Sequence, residues 1–252
     1  MTQTVSFRIR LAQLALLVFI LASWELLPRW GVIPKLFVPP LSEALGALVE
    51  YRAEYAAHLP VTVVEILISY VIACGGGVAL GMLIASSPAA RRVTLPILRS
   101  AYAVPMVVLY PVMLVWFGLG MGSKIGFAVI FALVPTLLTT VAGVAALSPH
   151  LVETARAFGA NRWQRILYVQ IPASLPALVA ALRLGGALVI VAVTVAEMLG
   201  SFEGLGFLIT RHRTLLNSPG VYGGIILVLF ITGAHELVLR HLEQRVARFR
   251  DA

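Results

Sequence analysis

Long apolar runs separated by short polar segments occupy almost the whole chain. Six runs stand out, at residues 11–27, 60–85, 101–117, 125–147, 173–199 and 221–239. A helix needs about 20 apolar residues to cross the hydrocarbon core of a bilayer, and the first and third runs are the shortest of the six. The pattern predicts an all-α membrane protein with six transmembrane helices.

The first run could be mistaken for a secretory signal peptide, because Arg8 and Arg10 precede it. It is longer than a typical signal core and ends in Trp24-Glu25 and Pro28 rather than in a small-residue cleavage site. We therefore expect a retained first span.

The composition agrees with membrane insertion. Hydrophobic residues make up 60% of the 252 residues and charged residues 12%, whereas soluble domains carry about 25% charged residues. The net charge of +8 is spread over the segments between runs and forms no single stripe, so nucleic acid is not an expected partner. The single cysteine, Cys74, lies inside a run, which excludes an intrachain disulfide and a cysteine metal cluster.

Basic residues are distributed unevenly between the two sides of the predicted membrane. One side would carry Arg8, Arg10, Arg91, Arg92, Arg99, Arg156, Arg162, Arg165, Arg240, Arg245, Arg248 and Arg250. The other side would carry Arg29, Lys35, Arg52, Lys124, Arg211 and Arg213. Because the more basic side is usually cytoplasmic, we expect both the N- and C-termini, and segment 148–172, in the cytoplasm.

The polar segment from Ser148 to Pro172, SPHLVETARAFGANRWQRILYVQIP, separates two runs that are each long enough to cross a bilayer. Ser148 and Pro149 fit the start of a helix, and Gly159 fits a left-handed helix stop. Asn161 can cap a second helix, which Pro172 would end before the next span. The expected structure is two short helices joined by a glycine turn.

Three interpretations of this segment remain open on these grounds alone. A DNA-binding helix-turn-helix is disfavoured by the spans that tether both of its ends. An interfacial amphipathic hairpin could merely connect two spans. The third interpretation is a chance arrangement.

The order of residues resembles the EAA loop of ABC-transporter permeases. That motif reads Glu-Ala-Ala, three residues, Gly, nine residues, Ile-x-Leu-Pro, and here Glu153-Thr154-Ala155, Gly159 and Val169-Gln170-Ile171-Pro172 follow at the same spacings. Thr154, Val169 and Ile171 depart from the motif conservatively. The resemblance implies an ATPase-coupling role for Glu153, Thr154, Ala155, Arg156, Gly159 and Arg162.

Over roughly residues 35–240, the chain resembles the nitrate/sulfonate/taurine importer family. The matching pieces are Pro39-Pro40, Trp116-Phe117-Gly118 with Lys124, Leu175-Pro176, and Ala196-Glu197-Met198-Leu199-Gly200-Ser201 with Gly204-Leu205-Gly206. The resemblance implies a MetI-like ABC importer permease fold in the bacterial inner membrane. It also implies a second copy of the permease, a cytoplasmic ABC ATPase dimer, a periplasmic or extracellular binding protein and membrane lipid as partners. The cargo would be a sulfonate, taurine, nitrate or a related small organic compound.

The chain is not expected to be an enzyme. It lacks a GxxxxGK[ST] phosphate-binding loop, so ATP and magnesium are expected in the partner ATPase, and no cofactor, metal or catalytic residue is expected here. The alternative function is an ion-coupled secondary transporter, although the inverted repeats typical of that class are not evident.

Ionisable residues inside spans are candidates for the translocation path, because their burial in lipid is costly. These are Glu65, Arg183 and Glu197, for each of which a structural pair or a water-exposed end is an alternative. The related permeases more often carry a basic residue at the position of Glu65, which leaves open whether the solute is anionic. Gly75-Gly76-Gly77 with Gly81 predicts close helix packing.

Three regions are expected along the chain. Residues 1–58 would form the N-terminal transmembrane helix and an external amphipathic segment, in which Ser42 caps a helix. Residues 59–241 would form the permease domain, and residues 242–252 a basic cytoplasmic tail.

Overall fold

The computed structural model describes residues 2–250, and the side chains of residues 9, 11–148 and 150–244. Every regular element in that part of the chain is helical. The helices are α1 (Thr2–Arg29), α2 (Leu41–Glu50), α3 (Arg52–Tyr70), α4 (Gly76–Ala85), α5 (Pro88–Tyr102), α6 (Tyr110–Phe117), α7 (Met121–Ala145), α8 (Pro149–Ala157), α9 (Arg162–Arg165), α10 (Ile171–Gly200), α11 (Leu205–Thr214) and α12 (Ser218–Arg250).

Two π-helical turns make longer helices out of shorter ones. Val71–Gly75 joins α3 to α4, and Ile166–Gln170 joins α9 to α10. Within the described residues, five units are then long and apolar enough to cross a membrane: Leu11–Arg29, Arg52–Ala85, Met121–Ala145, Arg162–Gly200 and Ser218–Gln244. Five of the six predicted spans are therefore confirmed, while the side of the membrane on which the termini lie stays a prediction.

The third predicted span, 101–117, is not a straight helix. Helix α5 ends at Tyr102, and a short 3₁₀ turn, Met106–Leu109, leads into α6 at a bend of 82°. Pro105 explains the break, since proline disfavours helical geometry in the residue before it and lacks an N–H for the helix ladder. If the bent pair counts as one span, the part of the chain that the structure describes has six.

The centre of the bundle is the contact between α7 and α10, onto which α3, α4 and α6 pack. Its largest buried cluster contains Tyr110, Phe127, Val189, Ile190 and Val193. Helix α1 lies at the periphery and leaves the apolar side chains of residues 11–22 exposed, as expected for a helix in lipid. Of the predicted tail 242–252, the side chains from residue 245 on and all of residues 251 and 252 lie outside the described part; the boundaries of the three predicted regions stay predictions.

The start of α2 differs from the prediction that Ser42 caps it. The helix begins at Leu41, after Pro40, and no side chain of its own caps it. Instead, Glu25 of α1 accepts hydrogen bonds from the Ser42 backbone N–H at 2.9 Å and from the Ser42 hydroxyl at 2.8 Å. A carboxylate at a helix N-terminus satisfies free N–H groups and meets the positive end of the helix dipole. The expected cap therefore comes from another helix.

The predicted glycine face on the second span is confirmed for two of its four residues. A Cβ atom on Gly77 would lie 2.8 Å from the Thr136 Cβ, and one on Gly81 would lie 2.7 Å from the Thr140 Cβ. Thr136 and Thr140 donate their hydroxyls to carbonyls of their own helix, which leaves their methyl groups against the glycines. Helices α4 and α7 can approach this closely only without side chains at 77 and 81.

We predict that Gly81→Ala lowers the thermal stability of the purified protein, whereas Gly75→Ala leaves it nearly unchanged. The added methyl at 81 overlaps Thr140 and should cost about 1–3 kcal/mol. Gly75 has no neighbouring atom within 4 Å of an added Cβ, which makes it a matched control on the same span. Equal melting temperatures for the two variants would contradict the close packing.

Candidate functional site

The first half of segment 148–172 is a short helix with a glycine stop. Ser148 lies at the N-cap position of α8, but its side chain makes no capping hydrogen bond. Gly159 has a φ of +79°, and the N–H groups of Gly159 and Ala160 bond back to the carbonyls of Arg156 and Ala155, each at 3.0 Å. The predicted left-handed helix stop is confirmed, and Gly159 is there because side chains are strained at this φ.

The second half starts as predicted and ends differently. The Asn161 side chain accepts from the Gln164 N–H at 2.9 Å while the Gln164 side chain accepts from the Asn161 N–H at 2.8 Å, which is a complete capping box. Pro172 does not end this helix. The π-helical turn 166–170 accommodates the missing proline N–H, and the helix runs unbroken from Arg162 to Gly200.

The segment presents an exposed aromatic surface. Phe158 is 88% exposed, and Tyr168 and Trp163 are also largely exposed. Phe158 and Tyr168 border an open cavity of about 370 Å³ around Gly159 and Gln164. The coupling prediction relied on charges and on Gly159, and did not single out these aromatic residues. Exposed apolar patches of this kind mark interaction surfaces.

Of the six predicted coupling residues, Gly159 forms the turn, Ala155 is half-buried on α8, and the other four fall into two groups. Glu153, Thr154 and Arg156 are exposed on α8, and the Glu153 carboxylate lies 3.8 Å from the His150 ring nitrogen. Arg162, in contrast, is engaged within the chain, since its guanidinium donates to the Ser86 hydroxyl at 3.0 Å and to the Leu83 carbonyl at 3.4 Å. A cation at the Leu83 carbonyl suits the negative end of α4 and attaches the segment to the second span.

Two of the predicted path residues, Glu65 and Glu197, lie near the first turn of α7, at the end opposite to segment 148–172. Glu65 of α3 is fully buried and forms an ion pair with Lys124 of α7, which is also buried. The Lys124 ammonium also donates to the Ser201 hydroxyl at 3.1 Å. Nothing in the spacing of Glu65 and Lys124 along the chain indicated this pair.

Glu197, the second buried carboxylate here, fastens the segment that follows α10. Its carboxylate accepts from the Thr62 hydroxyl and from the Gly206 N–H, both at 2.7 Å, and the Leu205 N–H donates to the same Thr62 hydroxyl at 2.8 Å. Gly204 has a φ of +101° and lies directly against the Glu197 carboxylate, where a side chain would not fit. The turn into α11 is therefore attached to α3 and α10.

The α11 segment is well packed. His212 on this helix is buried, and burial lowers the pKa of its imidazole below the usual value. The ring packs against Tyr51, with ring centres 4.8 Å apart.

Arg183, the third predicted path residue, lies apart from this cluster. Its guanidinium pairs with Glu236 at 3.2 Å and with Glu243 at 2.7 Å, both on α12. All three predicted path residues are thus ion-paired or hydrogen-bonded within the chain.

Comparison with known proteins identifies one family. The model for "Binding-protein-dependent transport system inner membrane component" matches residues 77–248. The taurine transport system permease protein of Escherichia coli is 28% identical over 237 residues, which are 91% of this chain and 86% of that protein. The formylaminopyrimidine transport permease protein of Halalkalibacterium halodurans is 26% identical over 209 residues, covering 83% and 84%.

A third relative and a solved structure extend the comparison. The riboflavin transport system permease protein of Chloroflexus aurantiacus is 33% identical over 154 residues, which are 61% of this chain and 58% of that protein. An inward-facing structure of the MetNI methionine ABC transporter matches with a TM-score of 0.62 and 20% identity, covering 80% of this chain and 97% of that chain. At this identity the structural match establishes the fold alone, which confirms the MetI-like expectation.

We predict that Lys124→Met destabilises the protein by about 3–5 kcal/mol, because Glu65 would remain buried without its counter-charge. The double variant Glu65→Leu with Lys124→Met should lose less than the single variant, since neither charge is left unpaired. Thermal unfolding of the purified proteins measures both.

Lys35→Met is the matched control for the Lys124 variant. Lys35 pairs with Glu43 at 2.9 Å on the surface, where an ion pair contributes about 0–1 kcal/mol. A Lys124→Met protein as stable as this control would refute the role of the buried pair.

Proposed function

Because the chain belongs to the family of binding-protein-dependent transport system inner membrane components, we propose that a cytoplasmic ATPase drives it through segment 148–172. The chain is a multi-pass membrane permease of the ABC importer class. This assignment decides against the alternative of an ion-coupled secondary transporter. The ATPase would move the spans through this segment, and the partners and the class of cargo are proposed below.

The exposed aromatic surface of segment 148–172 is the observation that carries the coupling proposal. Phe158 lies at the end of α8 next to Gly159, Trp163 lies in the first turn after the Asn161 cap, and Tyr168 lies in the π-helical turn that follows. A groove on an ATPase subunit that covers these rings removes apolar surface from water. Glu153 and Arg156, exposed on α8 beside them, supply charges for specificity.

The connections of this surface explain how a push on it would reach the solute path. The helix that begins at Arg162 is continuous to Gly200, so its 39 residues form a rod of roughly 58 Å. The far end of this rod holds Glu197 and the turn at 204–206. Arg162 also connects the segment to the end of α4 through Ser86. Movement of the segment would therefore be passed to two spans at once.

For the translocation path, we propose that Glu65 and Glu197 hold its wall in place rather than contact the solute. Both are buried and have partners within the chain, and Lys124 is neutralised by Glu65. Arg183, which is partly exposed beside its two carboxylates, is the better candidate for contact with a passing solute.

The proposed cargo is a small organic solute of the sulfonate or taurine type, delivered by an external binding protein. This rests on the taurine permease and on the other small-molecule permeases among the relatives. The working unit would be two copies of the chain with two ATPase subunits, in which ATP and magnesium are bound. We place it in the inner membrane of a bacterium.

We predict that Phe158→Ala weakens association with the ATPase subunit about tenfold or more, because exposed aromatic residues are frequent hot spots of interfaces. The chain itself should fold normally, since this ring is 88% exposed. Co-purification and ATP-dependent uptake are the measurements. Phe202→Ala is the control, because Phe202 is 71% exposed and follows the other end of α10.

A second pair of variants tests the turn within the same experiment. Gly159→Ala and Gly31→Ala place a side chain at nearly the same φ, +79° and +73°, with no atom near the added methyl in either case. Each should cost about 1–2 kcal/mol of backbone strain, but only Gly159→Ala should reduce uptake. If the chain purifies without an ATPase, or if Phe158→Ala and Gly159→Ala leave uptake intact, the coupling proposal fails.

We predict that ATP hydrolysis by the reconstituted complex rises when its binding protein carries a sulfonate such as taurine. Nitrate, riboflavin and formylaminopyrimidine belong in the same ligand panel, with ligand-free binding protein as the baseline. Stimulation by a ligand other than a sulfonate would change the proposed cargo but would leave the coupling proposal standing.

A further inference from the structure

Helix α5 carries an arginine stripe that faces a cavity. Pro88, Arg91, Arg92, Leu95 and Arg99 follow one another at helical spacing and border a space of about 370 Å³. The opposite wall belongs to α7 and is apolar, formed by Leu138, Val141, Ala142 and Ala145. The cavity therefore has one positively charged wall and one apolar wall.

The three guanidinium groups of this stripe lack counter-charges within the described part of the chain. Neither Arg91, Arg92 nor Arg99 forms an ion pair or a side-chain hydrogen bond with any residue there, and no carboxylate borders the cavity. Positive charges that share one cavity repel each other unless an anion lies between them. The cavity is therefore suited to a ligand that is anionic.

A second cavity adjoins the first and extends the positive charge under α8. Its volume is about 420 Å³, and it shares Pro88, Arg91 and Ala145 with the first. It adds Arg156, Arg165 and a single carboxylate, that of Glu153. Gln170 also lines it, with a buried side-chain oxygen that has no hydrogen-bond partner. Along the two cavities, five arginines thus face one carboxylate.

The position of α5 indicates where the ligand comes from. Val93 and Ile97 lie on the side of this helix away from the arginine stripe and are largely exposed. The helix is also bent by 82° from the direction of residues 106–117, the second half of the bent pair. An amphipathic helix with exposed apolar residues on one side and arginines on the other is suited to the membrane interface. The arginines then lie at the level of lipid headgroups.

We propose that the two adjoining cavities bind an anionic phospholipid. Arg91, which borders both, receives the headgroup phosphate together with the flanking arginines, and an acyl chain lies along Leu95, Leu138 and Val141. Basic pockets between transmembrane helices favour such headgroups, and a soluble anion would leave the apolar wall uncovered. Because Arg156 and Arg165 belong to segment 148–172, the lipid joins that segment to α5.

The test is a lipid titration of the full-length chain, purified in mild detergent with any subunits that accompany it. Phosphatidylglycerol should raise the melting temperature and be retained in native mass spectra, whereas phosphatidylcholine should do neither. Arg91→Gln with Arg99→Gln should weaken the response to phosphatidylglycerol about 30-fold. Arg240→Gln is the control, because this exposed arginine borders neither cavity and should leave the response unchanged.

Two further arms separate the outcomes. Leu138→Trp fills the apolar side and keeps every arginine, so it should weaken lipid binding even if the arginine variant does not fold. Inorganic phosphate at millimolar concentration should not displace the lipid. Equal responses to the two lipids, an unaffected Leu138→Trp variant, or stabilisation and displacement by inorganic phosphate would each overturn the proposal, the last by identifying a soluble anion as the occupant.

Discussion

The burial of Glu65, Lys124 and Glu197 in one cluster is the constraint on which the rest of this structure depends. Charges removed from water are tolerated only when their partners are held in place. The partners come from α3, α7 and α10, so the position of these helices along the membrane normal and their rotation about their own axes are both fixed. The same requirement fixes the turn into α11, since the Gly206 N–H completes the Glu197 site. Apolar packing alone would let these helices slide, whereas this cluster specifies their register.

A second element, the continuous helix from Arg162 to Gly200, connects this cluster to the exposed aromatic surface. One end of the rod carries the surface that we propose docks on the ATPase, and the other carries Glu197. Packed helices move as rigid bodies rather than by bending within the core. In the coupling that we propose, this helix would pass a displacement of one end to the other.

The sequence was sufficient where the determinants are local. The apolar runs predicted six spans, of which five are confirmed, and Gly159 and Asn161 predicted the turn and the cap of segment 148–172, because each acts within a few residues of itself. It was insufficient where a partner lies far along the chain, as for Lys124 with Glu65 and Arg162 with Ser86. The effects of two prolines on helix continuity were predicted wrongly, in opposite directions. Pro105 breaks a run expected to be straight, while a π-helical turn carries the helix past Pro172.

The attachment of α1 at one end divides that helix into two parts with different evolutionary freedom. Within this chain, residues 11–22 face outward, and the contacts to the bundle begin near Trp24 and Glu25. The outward part has to match only the thickness and the apolar character of the bilayer, so many unrelated apolar sequences would be tolerated there. In the attached part, particular side chains are required, because Trp24 donates to the Pro39 carbonyl and Glu25 accepts from Ser42 of α2. A sharp change in tolerated sequence variation is thus expected close to residue 23, in the middle of what looks like one uniform hydrophobic run.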